Sequence, residues 1–312
     1  MANVNTDLGL YLAISAAVND PSQRECPWYE VWDICLNQYL FANSNTQTTA
    51  CSTIPQYSLI WTYDVDADHN TTPSSHPSSP TNDHMQVSPP LQHLQPSRRS
   101  VKIPDFVQVL RQAIQPLEFP PHHFQQRVIL TVEVKPTLNP ITFDHILNSQ
   151  VASQVMYAFA SDDTLQSLGV VLAGGLYWVY QEVDRPSARE FEYLERTMSD
   201  SDYVPEMARE NSTDTSNSGS SGSSALSDPP HVLFHVPECV NSILDGRSQF
   251  SFDDVPLCKQ ALTQIASHLR ACHGQFWGLQ GDGKCTTCAA MAVERHQHVV
   301  RELEQTGIEL PS

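Results

Sequence analysis

Ile103-Pro104-Asp105-Phe106 and Val132-Glu133-Val134-Lys135-Pro136 are the two stretches on which the reading of this chain turns. Each lies at or inside an apolar run that reads as a buried strand, and together they spell Pro-Asp…Glu-x-Lys. If the two strands are neighbours in one sheet, Asp105 and Glu133 offer two carboxylates to one divalent cation. Lys135, two residues after Glu133, falls on the same face as that acid. Such a donor set is the chemistry of metal-assisted phosphodiester hydrolysis.

The residue types are those such chemistry requires. Mg²⁺ is hard and keeps several waters, so two carboxylates and a backbone carbonyl, here that of Val134, suffice to hold it and leave positions for water and a phosphate. A lysine within reach can stabilise the charge that builds on phosphorus or help to position and deprotonate the attacking water. Both acids lie among apolar neighbours, Ile103 and Phe106 about one and Ile129 to Val134 about the other. A buried acid without a partner is costly, so a ligand or ion pair is expected. Alone, Glu-x-Lys is a common pattern of an exposed charged face, and Pro-Asp is a frequent turn dipeptide.

The segments after Lys135 raise the signal. Asp144 to Ala160 places Ile146, Leu147, Val151, Val155, Met156 and Phe159 at helical spacing, with Gln150 and Gln154 one turn apart. Two short apolar runs come next, Leu168 to Ala173 and Leu176 to Tyr180, parted by the hairpin signal Gly174-Gly175. An early helix, Tyr29 to Phe41, and a first strand near Tyr57 to Val65 precede the Asp105 strand.

With these residues the chain resembles the PD-(D/E)XK, or restriction-endonuclease-like, nuclease superfamily, and within it the members found in mushroom-forming basidiomycete fungi. The similar region runs from about Trp28 to Asp184 and resumes near His231 to Leu269. The resemblance implies an α/β fold, an αβββαβ core with a mixed central sheet and flexible insertions. It matches Asp105 to the metal-binding aspartate, Glu133 to the second acid, Lys135 to the catalytic lysine and Gln154, with Gln150 second, to a glutamine on the following helix. Glu30 matches an optional acid on the first core helix. The implied activity is Mg²⁺- or Mn²⁺-dependent hydrolysis of DNA or RNA, with nucleic acid as partner. The alternative is a catalytically silent scaffold of the same fold that binds a protein or nucleic acid.

Composition bounds these readings. At 312 residues and 40% hydrophobic content the chain can bury a sizeable core, whereas a net charge of -18 opposes phosphate binding in general. The charge is unevenly spread: Arg98 to Arg185 carries seven basic residues against eight acidic, while Glu182 to Asp228 is strongly acidic and Ser-rich. The candidate catalytic region is therefore near neutral, and the acidic Ser-rich segment is a candidate tether for a protein partner. Two low-complexity tracts, 66–100 and 196–230, read as flexible insertions in a nuclease-like domain of residues 1–272. Residues 273–312 then form a helical tail rich in Cys and His.

Leu8 to Val18 has the length of a signal-peptide core, but Asp7 precedes it and no lysine or arginine does, so a buried or amphipathic helix starting near Thr6 or Asp7 is expected. No segment approaches the ~20 apolar residues of a membrane span. An intracellular, nuclear or cytoplasmic protein that is not secreted is the expectation. Its eight cysteines lack the dense spacing of a disulfide scaffold, and Cys26, Cys35 and Cys258 read as small buried hydrophobes. The C-terminal cysteines differ. Cys272, Cys285 and Cys288, with one histidine from His268, His273, His296 or His298, form a candidate structural zinc site, against incidental thiols as the alternative.

Overall fold

The computed structural model describes residues 4–42, 45–64, 97–113, 124–191, 232–279, 285–291, 293–294 and 297. Helices α1 (Val4–Val18) and α2 (Cys26–Ile34), the latter running on through a π-helical turn at Cys35–Leu40, open the chain. Five strands come next: β1 (Thr49–Pro55), β2 (Leu59–Asp64), β3 (Ser97–Lys102), β4 (Phe106–Ala113) and β5 (Phe124–Lys135). Helix α3 (Pro140–Ile146) continues through a π-helical turn, Leu147–Val151, into α4 (Ala152–Ser161). Then come β6 (Ser167–Gly174), β7 (Tyr177–Asp184), β8 (Phe234–His235), α5 (Glu238–Leu244), β9 (Phe250–Ser251) and α6 (Val255–Cys272).

The main sheet has seven strands in the order β1-β4-β5-β6-β7-β8, with β9 also paired to β7. Only β5 and β6 run parallel. A parallel pair needs a crossover, and α3 and α4 supply it. β6 is buried along almost its whole length, as a strand covered on both faces must be, which is why Leu168 to Ala173 is a continuous apolar run rather than an alternating one.

Alternation along β4, β5 and β7 divides the apolar residues into two cores. One joins Leu110, Val132, Val134, Trp178 and Tyr180 to α1, α2, α5 and α6. The other joins Val107, Val109, Val170 and Leu172 to α3 and α4 and to Leu59 and Trp61 of the β2-β3 hairpin. The result is three layers, helices on both faces of a mixed sheet.

Local chemistry fixes the ends of these elements. Asn139 caps α3: its Oδ1 accepts from Thr142 N–H at 2.9 Å while Thr142 Oγ1 accepts from Asn139 N–H at 3.1 Å, with Pro140 in the first turn. Asn139→Ala should therefore cost about 1 kcal/mol in chemical denaturation, and a change within experimental error would show that the cap is idle. At the β6-β7 hairpin Gly175 has φ +60°, the conformation a two-residue turn gives to glycine, and its N–H reaches Lys135 C=O at 3.1 Å.

Several expectations are corrected. The first strand of the main sheet is Thr49–Pro55, not the Tyr57 to Val65 segment, whose Leu59–Asp64 portion pairs instead with Ser97–Lys102 in a separate two-stranded sheet. The expected insertion at 66–100 consequently ends earlier, because residues 97–100 form β3; residues 66–96 and the whole of 196–230 lie outside the described residues. Cys26 is exposed at the start of α2, unlike the buried Cys35 and Cys258. Phe276, Trp277 and Cys285 belong to the same core as α6, so the described part of the segment set apart as a tail packs on the domain. Among the described residues no helix is long and apolar enough to cross a membrane.

Candidate metal-dependent active site

β1, β4 and β5 lie side by side, with Pro55 opposite Phe106 and Phe106 opposite Val132. Asp105 immediately precedes β4, so it sits one step past these pairs, at the end of the sheet where Glu133 and Lys135 close β5. Its backbone C=O accepts from Gln56 N–H at 2.9 Å, which ties it to the end of β1. Its carboxylate is held from two directions: Oδ2 accepts from Val134 N–H at 2.8 Å, and Oδ1 accepts from Tyr29 Oη–H on α2 at 2.6 Å. Gln56 Nε2 stands 3.4 Å from the same Oδ1.

Glu133 faces the opposite helical layer. Val132 and Val134 enter the core under α2, so the residue between them must point to α4. There Gln154 Nε2 donates to Oε2 at 2.8 Å, Gln150 Nε2 donates to Oε1 at 2.5 Å, and Lys135 Nζ bonds the same Oε1. Gln150 lies in the π-helical turn and Gln154 in the first turn of α4; wide turns of this kind recur at functional sites. Gln154 Oε1 is buried with no hydrogen-bond partner among the described residues.

The electrostatics are those of a buried acid pair with one cation. Burial pushes the Glu133 carboxyl above its ordinary value, and the charge of Asp105 adds to that, outweighing Lys135 and Gln154. Burial pulls Lys135 down, but Glu133, Glu25 and Asp105 outweigh it and leave its ammonium more firmly protonated than usual. Tyr29 is likewise held protonated by burial and by its bond to Asp105.

Of the residues singled out in the sequence, Glu133, Lys135, Gln150 and Gln154 form one hydrogen-bonded set, and Asp105 adjoins it through the Val134 N–H. Val134 contributes its N–H to Asp105, and its C=O points to the same side of the strand. Glu30 is not brought in: it is exposed on α2, and the acid of that region which approaches is Glu25, whose Oε1 is 3.6 Å from Lys135 Nζ. Tyr29, Gln56 and Glu25 join the group without having been legible in the sequence. A tyrosine or glutamine carries no spacing signal, and only the packing of α2 and the end of β1 against the strand ends selects them.

A second cluster lies on the other face of the sheet. Sγ of Cys239, Cys285 and Cys288 and a ring nitrogen of His268 lie within 4.8 Å of one another, a set that can hold a metal such as zinc. The expected set is corrected in one member. Cys239 replaces Cys272, which stands with Glu182 on the other edge of the His268 ring. Cys239 lies 29 residues before His268 in an ordinary Pro-Glu-Cys-Val stretch, so spacing could not reveal it. His273 is buried but is not among the four, and His296 and His298 lie outside the described residues.

Comparison of the chain with protein-family models, with curated proteins and with solved structures finds no match.

Proposed function

We propose that this protein is a divalent-metal-dependent nuclease of the PD-(D/E)XK type, cleaving phosphodiester bonds of DNA or RNA at Asp105, Glu133 and Lys135. The observation that carries this reading is the single hydrogen-bonded group formed by Lys135, Gln150 and Gln154 around Glu133, with Asp105 bonded to the neighbouring Val134 N–H. The element order supports it as well. Helix α2, strands β1, β4 and β5, helix α4 and strand β6 succeed one another as α-β-β-β-α-β, with the β2-β3 hairpin inserted after the first strand.

The residues suit a hard divalent cation. Both acids present oxygen only, Glu133 Oε2 and Asp105 Oδ2 each accept a single described bond and keep a lone pair for a cation, and the unpartnered Gln154 Oε1 adds a buried acceptor for a metal-bound water. A cation held by Asp105, Glu133 and the Val134 carbonyl would polarise a phosphate oxygen and acidify a water. The chain's own groups do the rest. Tyr29 and the Val134 N–H fix the orientation of Asp105, and Gln154 fixes that of Glu133, so neither carboxylate has to reorganise as charge develops. Lys135, kept protonated by its acidic neighbours, supplies a positive charge where the phosphorane becomes more negative.

The test pairs metal binding with cleavage. Calorimetric titration with Mg²⁺ and Mn²⁺ should show a site in the wild type that Asp105→Ala abolishes, together with cleavage. Lys135→Ala should retain the metal and lose about 10²–10³-fold in kcat, because a transition-state stabiliser contributes little to ground-state binding. Assays should span single-stranded, duplex and branched DNA and RNA. Metal binding with no cleavage of any of them would favour a silent scaffold; neither binding nor cleavage would end the nuclease reading.

A further inference from the structure

We propose that Cys239, His268, Cys285 and Cys288 form a structural zinc site that pins residues 285–291 to the body of the domain, with Glu182 as the carboxylate that orients the histidine. The four come from three separate places. Cys239 is in the first turn of α5 and His268 near the end of α6, while Cys285 and Cys288 flank the start of a helical stretch, 286–291. Cys239, His268 and Cys285 are buried.

The distances point to coordination rather than to thiol packing. A tetrahedral ion with Zn–S of about 2.3 Å and Zn–N of about 2.05 Å sets each sulfur about 3.5–3.6 Å from the nitrogen. Cys239 Sγ and Cys288 Sγ stand 3.6 and 3.7 Å from His268 Nδ1. Three thiolates and one imidazole on four converging atoms fill the coordination shell, which is the closed arrangement of a structural site.

The other ring nitrogen decides between the two ways His268 can be used. His268 Nε2 lies 2.6 Å from Glu182 Oε2. If both were ligands of one ion, their separation would be about 3.3 Å, so the contact is a hydrogen bond and Nε2–H is the donor. That bond leaves the Nδ1 lone pair free for the metal and fixes the ring, the arrangement that accompanies metal-bound histidines generally. Cys272 Sγ, 3.6 Å from Nε2, is consequently a neighbour of the site and not a ligand.

Glu182 belongs to the face of β7 that carries Trp178 and Tyr180, opposite the face to which Glu133 points. The site therefore lies across the sheet from Glu133, Gln150 and Gln154 and shares no residue with the candidate active site. Its role is set by where the ligands sit. Two of the four, Cys285 and Cys288, are on the 285–291 segment, whose packing on the core is otherwise through the partly buried Met291. An ion joining that segment to α5 and α6 supplies what this small contact area does not.

The full-length protein, purified under reducing conditions, should carry about one zinc per chain by elemental analysis, with X-ray absorption showing three sulfur neighbours and one nitrogen. Co²⁺ exchanged into the site should give the intense visible bands of a tetrahedral thiolate centre. Cys239→Ser and Cys288→Ser should each lower the zinc content severalfold, whereas Cys272→Ala should leave it unchanged. Wild-type protein free of zinc with its thiols reduced, a sulfur-poor absorption spectrum, or loss of zinc in Cys272→Ala would overturn the assignment. Because the wild-type stoichiometry and Co²⁺ spectrum need no variant, misfolding of a serine substitution cannot rescue it.

Discussion

Replacing Trp178 by alanine is expected to destabilise the protein by about 3–5 kcal/mol, the range for emptying a fully buried aromatic site. The indole is 1% exposed and touches several parts of the chain. It stacks on Phe250 of β9 at 4.4 Å and meets Trp32 of α2 edge-on at 5.6 Å. It also packs against Phe252, and its Nε1–H donates to Cys258 Sγ of α6 at 3.4 Å. The neighbours are anchored to α2, α6 and the β9 segment, so they cannot collapse together into the space and the cavity term should be felt in full. For a domain of this size the loss corresponds to a fall in Tm on the order of 10 °C. Tyr177→Ala is the internal control, because Tyr177 precedes Trp178 on the same strand but is 45% exposed, and it should change stability by no more than about 0.5 kcal/mol. Equal melting temperatures for the two variants would show that α2, β7, β9 and α6 do not share one core.

How much of this fold is legible in the sequence depends on whether the signal is local. The β5 and β6 strands declare themselves as apolar runs, α4 by its helical spacing, and the hairpin by Gly174-Gly175, because in each case the physics that forms the element acts on consecutive residues. Thr49–Pro55 reads Thr-Ala-Cys-Ser-Thr-Ile-Pro, small and polar, and is masked by the aromatic Leu-Ile-Trp-Thr-Tyr stretch after it, which carries the stronger strand pattern. As an edge strand, β1 needs little burial, and its residues are mostly half-buried; what places it in the sheet is pairing with β4, which sequence pattern does not encode.

The candidate sites divide the same way. Glu133 and Lys135 are two residues apart on a strand, and Gln150 and Gln154 are one turn apart on a helix, so a shared face is predictable for each pair. Bringing Asp105 to them requires only that β4 and β5 be neighbours. Glu30 is excluded because helix phase decides which residue of α2 faces the strand ends, and Tyr29 takes the position toward Asp105. For the cysteine cluster, Cys285 and Cys288 are legible through their spacing. His268 is one of several histidines, and Cys239 depends wholly on how α5 packs beside α6.

Removing Asp162 should strand a buried cation, and the effect should depend on acid in a defined direction. Arg127 on β5 is 5% exposed; its Nε–H donates to Asp162 Oδ2 at 2.9 Å, its Nη2 bonds Thr164 Oγ1, and its guanidinium lies 4.5 Å from the centre of the Phe276 ring. Asp162→Ala leaves that guanidinium desolvated with only the threonine and the ring. Breaking a buried pair from one side costs about 3–5 kcal/mol, and because Asp162 is partly exposed the lower end, about 3 kcal/mol, is expected. Arg127→Met together with Asp162→Ala should recover much of the loss, since the uncompensated charge is gone and the stem of the methionine still covers Phe276.

Burial alone would raise the Asp162 carboxyl, but Thr164 and Arg127 outweigh it and hold the group below its ordinary value of 3.8. A carboxylate depressed in the native state binds protons more tightly when unfolded, so it stabilises the fold above about pH 4, and that contribution is lost as pH falls through the native value. Urea denaturation between pH 7 and pH 3 should therefore show the difference between wild type and Asp162→Ala shrinking on acidification. A difference that stays constant, or one that grows, would mean that the ion pair is not what Asp162 contributes.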